Sequence, residues 1–507
     1  MFEYPMQTIL LLPCDTRPPT LELPLQLAKV VGLEMRVPPL EMLNDQNIPG
    51  DTAAIAAWLL ENAASADAAI ITLETLCLGG MIPARRVSDS LEVALARLEV
   101  LRQVKRINPQ IKLYAYGVIV RVAHDNDPLE EKSYYQEFGT ALRKVSEWID
   151  RVERGADDTE LKAAKKALPT EILEDWLGTR ERNHALHQRA LEMLSEGILE
   201  HLCLTLDDTT PYGLAARDRR RLEARIDALG VWERANVYPG ADEVAAALLA
   251  KALVDSSGCK PKIWVRYPSS QAPNSIMLYE DRLLGELVKA HIRSAGGVPA
   301  SSASTADLIL AVNAPAIKQA HRASDFEVVD TANRNLAAFI DEICDDLANH
   351  RAVTIADVAY ANGAEPRFVR QLLARADVTQ LFGFAAWNTA GNTLGSAIAA
   401  GICGLYCTNK TALAEATFSR LVDDYLYQAK VRSEVRQWLE NPSPFDLGEL
   451  KPIAEAEIEK RIQPLALELY TQYFAERLEN TSLVWHGSSL AWSRLFTGVF
   501  RLEFLEQ

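Results

Sequence analysis

Two pairs of adjacent carboxylates are the strongest chemical signal in the sequence: Asp207-Asp208 and Asp242-Glu243. Each pair follows a short apolar run of strand length. A helix cap needs only one acceptor, so the second carboxylate of each pair is available for chemistry. Carboxylates that crowd together shift one another's pKa, so that one acts as an acid while its neighbour stays ionised. These four residues are the predicted catalytic groups, and simple capping of the following helices is the alternative.

A second set of polar residues follows other strand-like runs and is predicted to bind the substrate. Paired amides one helical turn apart, Asn388 and Asn392, suit a sugar hydroxyl, an acetamido group or a carboxylate. The complete predicted set is Asp15, Arg17, Glu74, Arg85, Arg121, Tyr212, Asp357, Asn362, Trp387, Asn388 and Asn392.

Structural roles compete with several of these assignments. Asp15 with Arg17 would also fit an internal ion pair. Arg85 and Arg121 would serve equally well to anchor an anionic group or to neutralise nearby acids. Asn388 alone would fit the N-cap of a helix.

The elements that position these residues are short apolar runs separated by longer helical patterns. Apolar rather than alternating strands indicate parallel sheets covered on both faces, in which ligands bind beyond the carboxyl ends of the strands. The predicted strands are Thr8–Leu12, Glu34–Val37, Ala68–Leu73, Lys112–Val120, Leu202–Leu206, Asn236–Tyr238, Lys262–Arg266, Val298–Ala300, Asp307–Val312, Val353–Ala356 and Phe382–Ala386.

The two halves of the chain follow the same order of features. TILLLPCDTRPP and KIWVRYPSSQAPN each lead to a helix, a glycine, a short strand and an Ala-Asp pair before the next strand. This order favours an α/β fold of two doubly wound, Rossmann-like lobes over the alternative, a single (β/α)8 barrel. The predicted regions are a first lobe over residues 1–257 with a helical insertion near 125–200, a second lobe over 258–407, and a wholly helical C-terminal region over 408–507.

The composition of the chain limits the classes of partner that it is expected to bind. The chain has 507 residues and a formal net charge of −16, which argues against nucleic acid and anionic membranes. Seven cysteines fit no closed disulfide framework, and no stretch has the length of a membrane span. These features predict a soluble, cytoplasmic protein. The sequence leaves the oligomeric state open.

Several common catalytic motifs are missing from the sequence, including G-x-G-x-x-G after the first strand, a Walker loop, H-E-x-x-H and G-x-S-x-G. The segments LLPCDTRP, GGMIPARR, DDTTPYG, PGADEV and WNTAGN together resemble a bacterial family catalogued as a domain of unknown function. That resemblance extends to about Gly404. It departs from the family pattern at Glu74, usually aspartate there, and at Leu78, usually tyrosine.

A more local resemblance suggests a reaction. The segment PGADEV is similar to the Gly-Gly-Asp-Glu motif of retaining β-N-acetylhexosaminidases. That resemblance implies that Glu243 is the general acid/base and that Asp242 orients the acetamido group of the substrate, with no metal needed. Asp207-Asp208 is likewise similar to the paired aspartates of other substrate-assisted hexosaminidases.

The leading hypothesis is therefore an enzyme, a carbohydrate-active hydrolase for N-acetylhexosamine-type glycosides that works on a small polar substrate without a cofactor. A metal-assisted hydrolase or lyase is the first alternative, with Asp15, Glu74, Asp207 and Asp242 as oxygen ligands of Mg²⁺ or Mn²⁺. A two-lobed protein that closes on a small ligand without chemistry is the second.

Overall fold

The computed structural model describes residues 6–123, 126–207, 209–322, 329, 333–443 and 445–506. The chain forms two compact units. The first unit comprises Gln7–Thr16 and Met35–Ala245, and the second comprises Arg17–Glu34 together with the chain from Ala246 onward. The second unit thus includes residues 17–34 and 246–257, which the sequence analysis assigned to the first lobe.

The predicted strands are all present, with bounds that shift by one or two residues at most. They are β1 (Thr8–Leu12), β2 (Glu34–Arg36), β3 (Ala68–Thr72), β4 (Lys112–Ile119), β5 (His201–Leu206), β6 (Ala235–Pro239), β7 (Lys262–Arg266), β8 (Val298–Pro299), β9 (Leu308–Asn313), β10 (Val353–Asp357) and β11 (Gly383–Ala385).

The helices between these strands follow the predicted alternation. Those up to β7 are α1 (Glu22–Val31), α2 (Thr52–Asn62), α3 (Leu73–Leu78), α4 (Pro83–Arg86), α5 (Leu91–Leu98), α6 (Val100–Ile107), α7 (Tyr135–Glu153), α8 (Thr159–Lys165), α9 (Thr170–Ser195), α10 (Leu214–Leu229) and α11 (Val244–Ser257). Those after β7 are α12 (Leu284–Ser294), α13 (Leu336–Ala348), α14 (Pro366–Arg375), α15 (Ala390–Leu405), α16 (Lys410–Arg420), α17 (Arg432–Trp438) and α18 (Lys451–Tyr473). A π-helix, Leu421–Val431, joins α16 to α17.

Both units contain an open sheet with the same strand order. The six-stranded sheet of the first unit runs β2-β1-β3-β4-β5-β6, and the five-stranded sheet of the second runs β8-β7-β9-β10-β11. Each is therefore doubly wound in the 2-1-3-4-5 order, whose switch point lies between its first and third strands. The predicted doubly wound α/β fold is confirmed, and two separate sheets exclude the single (β/α)8 barrel.

The two sheets share a hydrogen-bond pattern at the start of their first strands, β1 and β7. The Asp67 carboxylate accepts the backbone N–H of Thr8, the first residue of β1, at 2.9 Å. The Asp307 carboxylate accepts the N–H of Lys262, the first residue of β7, at 2.8 Å. In each pair the aspartate N–H also donates to the same partner's carbonyl. These aspartates fix the register of the two strands that flank each switch point.

Each sheet is buried by its own helices. Every residue of β1 and β3 is buried, and apolar residues of α2, α3, α5, α6, α9 and α10 complete the core of the first unit. The predicted insertion forms α7, α8 and the first half of α9, with a small core of its own. None of the helices in the described part of the chain combines the length and apolar character that a membrane span requires.

The C-terminal region is helical through α18 but ends in two antiparallel strands, β12 (Thr481–Leu490) and β13 (Gly498–Glu506). The prediction that this region is wholly helical was therefore wrong in its last part. Phe504 of β13 packs against Phe418 of α16 at a centroid distance of 5.3 Å, so the hairpin completes the apolar core of the second unit.

Helix α15 approaches β10 and β11 closely because it carries small residues. A Cβ on Gly401 would lie 2.8 Å from the Thr354 side chain of β10 and 2.8 Å from Leu308 of β9. Gly401 therefore sets the distance between this helix and the sheet. Gly178 in α9 differs, because a Cβ there would meet no atom within 4 Å.

We predict opposite effects of the same substitution at these two helical glycines. Gly401→Ala should lower the free energy of unfolding by about 1–3 kcal/mol through overpacking. Gly178→Ala should raise it by up to about 1 kcal/mol, because alanine restricts the unfolded chain and favours helix. Calorimetric melting of both variants beside the parent chain measures the difference. Stabilisation by Gly401→Ala would contradict the packing argument.

Candidate functional site

The loops after β1 and β6 bring three buried side chains together in the first unit. Cys14, Asp15 and Asp242 each offer one ligand atom, and these atoms all lie within 4.8 Å of one another. The Sγ of Cys14 is 3.6 Å from Oδ2 of Asp15. Exposure of the two aspartates is only 1% and 4%. The structure therefore joins one predicted catalytic residue, Asp242, to one predicted substrate residue, Asp15.

This meeting depends on the paths of the two loops. Strands β3, β4 and β5 separate β1 from β6 in the sheet, so the loops must extend along the carboxyl edge to bring these residues together. The hydroxyl groups of Thr72 and Thr75 donate to the carbonyl oxygens of Leu12 and Pro13, both at 2.8 Å. These bonds direct the β1 loop towards β3, next to the switch point.

A tyrosine of β4 borders the same group. Burial raises the pKa of the Tyr116 hydroxyl well above its usual value, and the neighbouring Cys14 adds to that shift. Tyr116 is therefore a neutral phenol near Cys14 and Asp15. The sequence analysis missed it because it lies within a strand rather than after one.

The adjacent residues Asp242 and Glu243 have different surroundings. One carboxylate oxygen of Glu243 accepts the N–H of Ala241 at 2.9 Å, and the side chain folds over Gly240. Gly240 has φ of +149°, and any Cβ there would overlap Glu243. Glu243 thus closes its own turn, whereas Asp242 belongs to the group with Asp15.

The other predicted acid pair is described in part. Asp207 accepts a hydrogen bond from Arg85 at 2.7 Å, and Arg121 lies 3.9 Å from the same oxygen. Both arginines also contact Glu130 and Glu131. The arrangement favours the reading in which these arginines neutralise acids. Asp208, the remaining predicted catalytic residue, lies outside the described residues.

Glu74 forms a buried pair with a histidine that the sequence analysis did not single out. Its Oε1 accepts the N–H of Val118 at 3.0 Å and lies 2.7 Å from Nε2 of His187. Among the described residues its Oε2 has no hydrogen-bond partner. Gly117 makes room for the imidazole, since a Cβ there would lie 2.7 Å from Nε2. His187 follows His184 by three residues on α9, and that spacing was the available signal.

Tyr212 lines a separate pocket of about 370 Å³ in the first unit. The guanidinium groups of Arg151 and Arg154 lie 4.0 and 4.7 Å from its ring centroid. The structure does not place Tyr212 among the residues that surround Asp15 and Asp242.

In the second unit, Asp357 lies at the carboxyl end of β10 in a fully buried polar network. Its Oδ1 accepts from Asn313 at 2.9 Å, and its Oδ2 accepts the N–H of Glu365 at 2.7 Å. Burial and, to a smaller extent, the charge of Glu365 together raise the pKa of Asp357 to about 7. Arg334 donates to both Asn313 and Glu365 at 3.1 and 2.6 Å.

The predicted amide pair lies at the start of α15. Asn388 has φ of +64°, and the N-cap is the next residue, Thr389, whose hydroxyl accepts the N–H of Asn392 at 3.4 Å. The alternative prediction that Asn388 is the N-cap was therefore wrong, because the N-cap is the following residue. A carboxylate oxygen of Glu280 accepts the N–H of Gly391 at 2.7 Å. This helix start thus already contacts an anionic group of the protein.

Three predicted substrate residues occupy other parts of the second unit. Trp387 packs against Phe496 with ring centroids 5.3 Å apart. Arg17 is buried with its guanidinium 4.7 Å from the centroid of Trp492. Asn362 is half-buried on the loop after β10.

We predict that the Asp357 carboxyl makes stability depend on pH. Its pKa of about 7 in the folded chain exceeds the usual aspartate value, so the folded state holds a proton that the unfolded state has released. That contribution to stability is present below about pH 4 and is lost as the pH rises through 7. The free energy of unfolding of the parent chain, minus that of Asp357→Asn, should therefore fall from pH 5 to pH 8. Denaturant titrations at both pH values measure this difference, and a difference that does not change with pH would contradict the burial argument.

Comparison with known proteins identifies a family whose function is not known. No curated protein matches the chain. The family described as "Protein of unknown function (DUF4127)" matches residues 9–500. The match runs from β1 to the first residues of β13 and therefore includes both units. It confirms the predicted membership in a family of unknown function, and the chain belongs to the DUF4127 family.

Proposed function

We propose that the first unit is a carbohydrate-active hydrolase whose acid/base centre is the Asp15–Asp242 pair. The observation that carries this proposal is the close spacing of two buried carboxylates at the carboxyl edge of a doubly wound sheet, with ligand atoms within 4.8 Å. Substrate-assisted glycosidases have no carboxylate nucleophile, so in this proposal the pair supplies the acid/base and holds the acetamido group that acts as the nucleophile. The preferred substrate class is the glycosides of N-acetylated amino sugars, in line with the PGADEV motif.

The proposed reaction uses the repulsion between the Asp15 and Asp242 carboxylates. Two buried carboxylates this close are more stable with one proton between them than as two anions. Asp15 then gives its proton to the leaving oxygen while the acetamido oxygen of the substrate attacks the anomeric carbon and the glycosidic bond breaks. Asp242 accepts the acetamido N–H. Asp15 next removes a proton from water, which opens the cyclic intermediate and releases the sugar.

This assignment replaces the acid suggested by the motif alone. Glu243 was the expected general acid, but its carboxylate is bonded to the Ala241 N–H. Asp15 is the carboxylate that lies beside Asp242. Asp242 keeps the role of holding the acetamido group.

We predict that Asp15→Asn and Asp242→Asn each lower turnover of a 4-nitrophenyl N-acetylhexosaminide by about a hundredfold to ten-thousandfold, the usual contribution of acid/base catalysis. Asp89→Asn is the matched control. Asp89 is a carboxylate of the same unit, 2.6 Å from Arg97 and partly exposed, so this variant should keep full turnover. Circular dichroism verifies folding. Undiminished turnover in both site variants would exclude the pair, and equal turnover of the 2-hydroxyl analogue would exclude participation of the acetamido group.

Metal-assisted hydrolysis is the second candidate, and Cys14 is the observation that favours it. One thiolate and two carboxylates within 4.8 Å are a plausible ligand set for a divalent cation. The thiolate favours Zn²⁺ over the Mg²⁺ or Mn²⁺ expected from carboxylates alone. Of the four predicted oxygen ligands, Asp15 and Asp242 meet in this group. Glu74 is bonded to His187, and Asp207 to Arg85.

We predict different outcomes of chelation for the two candidates. A metal-free acid/base centre keeps its activity after exhaustive dialysis against a chelator. A metal centre loses its activity and regains it with Zn²⁺, and Cys14→Ala then lowers the metal content measured by mass spectrometry. Full activity in a preparation shown to contain no metal would rule out the second candidate.

A further inference from the structure

The pocket beside Tyr212 lies beyond the carboxyl ends of two neighbouring strands of the first unit. It has a volume of about 370 Å³, and its walls come from the chain after β4, from α7, and from the turn between β5 and α10. Strands β4 and β5 are adjacent in the sheet. Ligands of parallel α/β sheets bind in this region. We call it the α7 pocket and define it by Val122, Arg143, Ser146, Glu147, Arg151 and residues 210–215.

Hydrogen bonds between α7 and the start of α10 fix the shape of the pocket. The Oγ of Ser146 accepts the N–H of Leu214 at 2.8 Å, and the Oδ2 of Asp150 accepts the N–H of Gly213 at 2.9 Å. Both acceptor residues are buried. Gly213 has φ of +131°, and a Cβ there would lie 3.1 Å from the Ser146 Oγ. The pocket is therefore a preformed part of the fold, as sites for small molecules usually are.

Two arginines hold the ring of Tyr212 at the pocket. The guanidinium carbons of Arg151 and Arg154 lie 4.0 and 4.7 Å from the ring centroid. Arg151 is itself fixed by Glu147, whose Oε1 accepts from its Nε at 2.8 Å. Tyr212 is 37% exposed, and no described residue forms a hydrogen bond with its hydroxyl group. The pocket thus offers a ligand both an aromatic ring and a phenol.

One positive charge that lines the pocket has no counterpart. Glu147 and Arg151 neutralise each other across a distance of 2.7 Å. Arg143 lies one helical turn before Glu147, lines the pocket and is partly exposed. It forms no ion pair or hydrogen bond with any residue that the structure describes. A ligand with a negative charge would supply the missing partner.

Acids next to the pocket are already paired with other arginines. The buried Asp150 contacts Arg154 at 3.0 Å and also contacts Arg220. Glu153 lies 3.2 Å from Arg221. These acids therefore do not cancel the charge of the pocket.

The first turn of α10 adds a donor to the side chains. Ala215 lines the pocket, and its N–H bonds to no acceptor among the described residues. An N–H group at the start of a helix favours a negative charge. This donor supports the same kind of ligand as the Arg143 side chain.

We propose that the α7 pocket binds a small organic molecule through one carboxylate group, with Arg143 as its ion-pair partner. The guanidinium fork matches a carboxylate in a bidentate geometry. The body of the molecule packs against Val122, Pro211 and the Tyr212 ring. A single charge is preferred, because one guanidinium group of the lining is unpaired and Glu147 repels a second charge. None of the lining residues belongs to the Asp15–Asp242 pair, so this proposal does not rest on the proposed hydrolase activity.

The test is calorimetric titration of the full chain with three probes that share one ring: benzoate, the neutral benzamide and the doubly charged phenyl phosphate. Benzoate should bind. Benzamide should bind about tenfold more weakly or less, because hydrogen bonds to a charged group are the stronger ones. Phenyl phosphate should bind no more tightly than benzoate.

Variants locate the binding. Arg143→Gln should weaken the binding of benzoate about tenfold or more, and Arg143→Lys should weaken it less, because the charge is kept. Arg221→Gln is the matched control, because Arg221 has the same charge but pairs with Glu153 and does not line the pocket. This variant should keep the affinity of the parent chain.

Melting without ligand separates binding from folding. Arg143→Gln should melt at the temperature of the parent chain, because Arg143 bonds to no described residue. No binding of benzoate to the parent chain would overturn the proposal. Equal affinities for benzoate and benzamide, tighter binding of phenyl phosphate, or an unchanged affinity in Arg143→Gln would also overturn it.

Discussion

Every residue of β1, β3 and β10 is buried, because helices cover each parallel sheet on both faces. Charged side chains cannot be placed along such strands without a large loss of hydration, so they collect where the strands end. The doubly wound order then decides which ends are neighbours. In both units an aspartate fixes the first strand beside the third, and the carboxyl edge opposite is where the functional groups gather.

Several acids at these edges are hydrogen-bonded within the protein. Asp207 pairs with Arg85, Glu74 with His187, and Asp357 with Asn313. Such buried networks are costly to break, and they hold the surrounding loops in one arrangement. Asp15 and Asp242 differ from these groups in that two side chains of the same kind lie next to each other.

Groups of like charge reduce the stability of a fold and are retained where they have a use. In the proposed reaction the carboxylate pair of the first unit supplies one proton for transfer, which suits the cleavage of a bond between carbon and oxygen.

The sequence alone determined the strands, the alternation with helices and the repeated order of the two halves, because these depend on local apolar runs and on residues such as Asp67 and Asp307. It did not reveal the final hairpin, since β12 is flanked by helix and carries a weakly apolar pattern. The tertiary structure alone decided that Asp242 meets Asp15 while Glu243 closes its own turn. It also decided that Glu74 meets His187 and that Arg17 lies against Trp492. Such contacts join residues far apart in the chain, and they depend on strand order and on the path of loops across a sheet edge, neither of which leaves a local signal in the sequence.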